Sequence, residues 1–100
     1  MPSDPSFRMT IQDVFAIRGR GTVVTGQVES GMLQVGDAVR VETQSDTIET
    51  IVTSIEMFRR SVEQAEAGEH VGVFLHDIAK DDVQRGDVLM GIGATAGGGW

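Results

Sequence analysis

The 100-residue chain has no cysteine and no tyrosine, a single tryptophan, two prolines, and eight basic residues against fifteen acidic ones. Without cysteine there can be no disulfide, thiol nucleophile or thiolate metal ligand, and a reducing compartment is the default expectation. No stretch approaches the ~20 continuous apolar residues of a membrane-spanning helix. The opening Met1-Pro2-Ser3-Asp4-Pro5 has neither the basic nor the apolar region of a secretory leader. These absences predict a cytoplasmic protein with no membrane partner. The formal charge of -7 argues against a general nucleic-acid binder, so any contact with phosphates should be small and local. Arg18 with Arg20, and Arg59 with Arg60, form the only basic clusters.

The length suits one small domain and leaves no room for a second, nucleotide-hydrolysing one. Short apolar runs rich in Val, Ile and Thr are separated by turn signals at 18–21, 30–31, 35–37, 44–46, 68 and 86–87. This punctuation predicts an all-β domain with strands over 7–17, 22–30, 37–43, 47–58, 69–76 and 87–91. Six strands with mostly hairpin connections leave the fewest exposed edges when closed into an antiparallel barrel. Residues 61–67 and 78–85 are rich in helix formers and predict short helical turns. Residues 1–6 read as an N-terminal extension, and 92–100 as a flexible Gly-rich tail.

The best-defined local signal is a hairpin. Ile11 to Ile17 and the run from Thr22 are β-formers on either side of Arg18, Gly19, Arg20 and Gly21, where glycine supplies the positive φ of a tight reversal. Gly36-Asp37 and Gly86-Asp87 each precede a strand and read as local turn solutions. The Arg85-Gly86-Asp87 tripeptide is read as part of such a turn rather than as an adhesion motif.

Enzyme motifs fail on inspection. Gly21 to Gly26 has the glycines of a phosphate-binding loop, but Gln27-Val28 follows where Lys and Ser or Thr are needed, and Gly31 to Gly36 is followed by Asp37-Ala38. His70 and His76 lie too far apart along one predicted strand for a single metal ion. Asp81-Asp82 falls in a predicted turn rather than a pocket. A non-catalytic chain is therefore expected, with no cofactor and no metal.

Strand alternation supplies a candidate binding surface. Val24 and Val28, then Ile51, Ile55 and Met57, then Val71, Val73 and Leu75 form the expected inward sets, which turns Val23, Glu56 and Phe74 outward. Should their strands adjoin, these three residues with Ile17 would make an apolar patch carrying one carboxylate. A planar ring could rest on such a patch while Glu56 accepts hydrogen bonds from hydroxyls.

The hairpin, together with Ile55-Glu56-Met57-Phe58-Arg59-Arg60 and Ala67-Gly68-Glu69-His70-Val71-Gly72-Val73, resembles the second, β-barrel domain of elongation factor Tu, a translational GTPase. The resemblance spans most of 7–91 and includes no GTPase domain. It implies a closed barrel of the translation-factor domain 2 type. It also implies that Ile17, Val23, Glu56 and Phe74 surround the terminal adenosine of aminoacyl-tRNA, with the glutamate at the ribose hydroxyls. Arg20 would lie near the interface with a GTPase domain and near the bound acceptor end, so Arg18, Gly19, Arg20 and Gly21 are expected as interface residues. The chain departs from the family at Gln12, where an acid is usual, and at Arg18, where a small hydroxyl residue is usual. It departs again at Phe74 for leucine, at His76-Asp77 for Arg-Gly, and at Ala79 for a basic residue. Two functions follow: weak binding of a tRNA acceptor end or aminoacyl-adenosine by a monomeric module in translation, or a protein-interaction module that keeps only the barrel.

Overall fold

The apolar runs pair as antiparallel strands in a computed structural model that describes residues 3–92. The strands are β1 (Arg8–Thr10), β2 (Asp13–Ile17), β3 (Gly21–Ser30), β4 (Met32–Gln34), β5 (Ala38–Glu42), β6 (Thr47–Met57), β7 (Arg60–Val62), β8 (Gln64–Glu66), β9 (His70–Leu75) and β10 (Val88–Gly91). Six of them close a barrel in the order β1, β10, β5, β6, β9, β3, and the seam from β3 back to β1 pairs Met9 with Val28. The predicted all-β, six-stranded antiparallel barrel is the observed architecture. β2 extends β3 beyond the ring, β7 folds back on β6, and β4 pairs with β8 as a separate ribbon.

Alternation fills the interior. Val24 and Val28 of β3, Val71, Val73 and Leu75 of β9, Val39 and Val41 of β5, and Leu89 of β10 meet Phe7, Met9 and Ile11 in one buried cluster. Each large aliphatic or aromatic side chain there contributes about 1.5–3 kcal/mol relative to exposure.

The expected strand over 7–17 is broken in the middle. Ile11 N–H donates to the Asp87 carbonyl at 2.8 Å, whereas Gln12 N–H donates to the Thr25 carbonyl at 2.7 Å. Adjacent amides thus serve different strands, which bends the chain between β1 and β2.

The helical turn expected over 61–67 is not formed, and β7 and β8 occupy that segment. Phe58 and Arg59 take positive φ values of 54° and 65°, reversing the chain so that Met57 pairs with Arg60 and Ile55 with Val62. Ala65 then lies fully buried opposite Leu33. Strand pairing and burial outweigh the local helix preference of Glu, Gln and Ala. In 78–85 a single 3₁₀ turn forms at Lys80–Asp82, between the buried Ile78 and Val83.

Ile51 was expected inward, but it is 40% exposed while Val52 is buried. The register between β6 and β9 shifts between Val52 and Ser54, so one extra residue reverses the phase and still sends Ile55 into the core.

The two Gly-Asp turns are the same structure twice. Gly36 and Gly86 both have φ of 95°. Asp37 and Asp87, both buried, accept from the N–H of Gln34 and Gln84 at 2.8 Å in each case. Residues 3–6 lie against the barrel, where Ser3 Oγ donates to the Ala38 carbonyl and accepts from Ile92 N–H. The flexible tail expected over 92–100 falls, from residue 93 onward, outside the described residues. No helix among the described residues is long and apolar enough to cross a membrane.

Candidate functional site

The outer face of β2, β3, β9 and β6 carries the candidate residues in cross-strand rows. Partners in an antiparallel ladder point to the same face. Phe15 pairs with Val23, Val23 with Phe74, and Phe74 with Ser54, so one row runs across four strands. A second row runs from Asp13 through Thr25 and Gly72 to Glu56 and on to Ser61. Ile17, paired with Gly21 at the hairpin end, is 39% exposed. The strands of Ile17, Val23, Glu56 and Phe74 therefore do adjoin.

The rows are not an open apolar platform. Val23 and Phe74 are 5% and 2% exposed although both face outward. The cause is the hairpin loop. Gly19 and Gly21, with φ of 80° and 91°, turn the chain tightly, and Arg20 N–H donates to the Ile17 carbonyl at 2.9 Å. The Arg20 side chain then lies along the face, with its guanidinium carbon 3.9 Å from the Phe74 ring centroid. Arg20 Nη1 donates to Glu56 Oε2 at 2.7 Å. The interface residue and the patch residues expected from sequence thus touch each other. Arg18, in the same loop, is exposed.

Beside Glu56 the surface falls into a depression of about 280 Å³, with Gln12, Thr25, Met57, Phe58, His70 and Gly72 among its lining residues. Gly72 makes the space, standing between Thr25 and Glu56 in the second row without a side chain. A Cβ there would come within 3.2 Å of Val23 Cγ2. Phe58 stands on the rim, 86% exposed, in its positive-φ conformation. Phe58 and Gly72 were not among the residues picked out from sequence. The glycine inside an otherwise apolar strand was the available signal, since such a residue marks a close approach or an opening. On the far side of Arg20 a cleft of about 460 Å³ is lined by residues including Thr53, His76, Asp77 and Asp82.

His70 and His76 are both exposed, and no group of three or more metal-ligating side chains occurs among the described residues. Chemically, the face combines a carboxylate with an aromatic ring that the Arg20 guanidinium covers. The depression adjoins that carboxylate, with Phe58 on its rim.

The closed six-stranded antiparallel barrel places the chain among small β-barrel modules. The family model described as elongation factor Tu domain 2 matches residues 21–90, and the chain belongs to that family. The family's domain is non-catalytic, and membership makes the chain a translation-factor barrel module.

Proposed function

We propose that this barrel is a binding module for the aminoacyl-adenosine end of tRNA in translation elongation. The observation that carries the reading is the convergence of Glu56, Phe74, Val23 and Ile17 on one outer face, beside a depression. An adenine would rest on the Val23–Phe74 row, the ribose hydroxyls would donate to Glu56, and an acyl group would enter the depression floored by Gly72. Arg20 would have to leave Phe74 for the ring to land. The module works without catalysis, in the cytoplasm and as a monomer. Its affinity alone is weak, roughly millimolar, because a single nucleoside buries little area and gains no effective concentration from linked domains.

Glu56→Gln tests the reading. Binding of adenosine should weaken about tenfold, as charge-assisted hydrogen bonds become neutral ones, while 2′,3′-dideoxyadenosine, lacking the hydroxyls, should bind no more weakly than to the wild type. Equal weakening of both ligands would contradict the assignment of Glu56 to the ribose.

A second reading, a protein-interaction module, is favoured by a separate observation. Phe15 and Ile17 are 50% and 39% exposed on one face of β2, next to the Arg18–Gly21 loop. A partner translation protein, or a GTPase domain, could cover this strip.

A further inference from the structure

Arg20 lies over the candidate patch. Its guanidinium is attached to the two groups that the proposed reading assigns to the ligand, Glu56 Oε2 at 2.7 Å and the Phe74 ring at 3.9 Å. While it stays there, no ring can lie on Phe74 and that oxygen is occupied. The cover is lightly held. Arg20 and Glu56 side chains are 42% and 30% exposed, so solvent screens the pair.

The guanidinium fork is also poorly matched. One arm meets a single oxygen of Glu56, and the other reaches Ser54 Oγ at 3.4 Å, near the limit of a hydrogen bond. A phosphate offers paired oxygens that fit both arms. A neutral nucleoside must displace Arg20 and gives it nothing in return, whereas a nucleotide provides the displaced cation with a better partner.

We infer that Arg20 is a specificity-determining cover, which a 5′-phosphorylated adenosine draws off Glu56 and Phe74 and then engages through its phosphate. This rests on the adenosine reading above and adds the phosphate and the residue that selects for it. The surrounding charges sharpen the expectation. Glu56 lies beneath Arg20, and Asp77 and Asp82 line the adjoining cleft with it. With Arg20 removed, a phosphate would face these acids, with Arg18 of the same loop as the remaining nearby cation.

The test is an NMR titration of the wild-type chain, Arg20→Ala and Arg20→Lys with adenosine, AMP and the trinucleotide CCA. The wild type should bind AMP roughly three- to tenfold more tightly than adenosine, the increment of a charge-assisted phosphate contact. In Arg20→Ala adenosine should bind several-fold more tightly than in the wild type, and the preference for AMP should vanish. Arg20→Lys should keep a reduced preference, since the charge remains without the fork. Unchanged AMP preference in Arg20→Ala, or adenosine binding no tighter, would overturn the cover while leaving the adenosine reading intact. If no ligand shifts either protein, the adenosine reading fails, and selection by phosphate fails with it. CCA, whose terminal adenosine carries the phosphate as a diester, should bind more tightly than AMP. Weaker binding would overturn an RNA 3′ end as the source of the ligand. A ligand-free arm uses the paramagnetic cosolute TEMPOL, which should broaden Phe74 ring signals more in Arg20→Ala. Equal broadening would contradict the cover directly.

Discussion

The Arg20 guanidinium lies over the Phe74 ring, 3.9 Å from guanidinium carbon to ring centroid, although Arg20 is in the β2–β3 loop and Phe74 in β9, 54 positions apart (74 − 20). The contact joins the β2–β3 loop to β9 and, through the ion pair with Glu56, to β6. A hairpin loop and a binding face that the sequence presents as separate features thus become one unit.

The β6–β7 turn stores strain. Phe58 and Arg59 both occupy the left-handed region, which costs non-glycine residues roughly 1–2 kcal/mol each. Replacing the pair with Asn-Gly, the preferred sequence for a two-residue turn of this hand, should raise stability by about 1–2 kcal/mol in urea unfolding. A lower midpoint for the double variant would contradict the turn geometry.

Asp37 and Asp87 should behave as equivalents. Each is buried and accepts from the backbone N–H three residues earlier. Asp37→Ala and Asp87→Ala should each cost about 1–3 kcal/mol, the penalty for leaving a buried donor unsatisfied. Chemical denaturation of the two variants checks this, and a neutral effect at either site would show that water replaces the carboxylate there.

Stability should fall in acid partly through Glu29. The Thr10 hydroxyl, and after it the Thr10 N–H and Arg8, hold its carboxyl below the ordinary value of 4.5. A depressed folded-state pKa contributes stability that is present above the unfolded value and lost as pH falls through the folded one. Glu29→Gln should therefore narrow the stability difference between pH 7 and pH 3, as thermal unfolding at the two values would show. An unchanged difference would remove Glu29 from the acid response.

Much of the barrel could be read from residue pattern because inward positions such as Val24, Val28, Val71 and Val73 alternate regularly. Ile51 was misread because a one-residue bulge leaves no mark in composition yet reverses every side chain after it. Residues 61–67 were misread because their helix propensity is local, while the pairing that overrides it depends on Ile55 and Leu33. At the site, alternation placed Val23, Glu56 and Phe74 on the outer face but could not reveal that Arg20 covers Phe74 and Glu56. That contact is set by loop conformation, which has no periodicity. The depression beside Glu56 depends on the absence of a side chain at Gly72, a feature visible in sequence only as an unexplained glycine.

The central claim, that this outer face takes an aminoacyl-adenosine, is tested most directly by titrating the isotope-labelled chain with an aminoacyl-adenosine fragment and following backbone and side-chain NMR signals. The account predicts that Ile17, Val23, Glu56 and Phe74 shift first, joined by residues of the Gly72 depression, with saturation near millimolar ligand. Shifts absent at saturating ligand, or confined to Arg18–Gly21 and the Phe15 strip, would contradict it and leave the protein-interaction reading in its place.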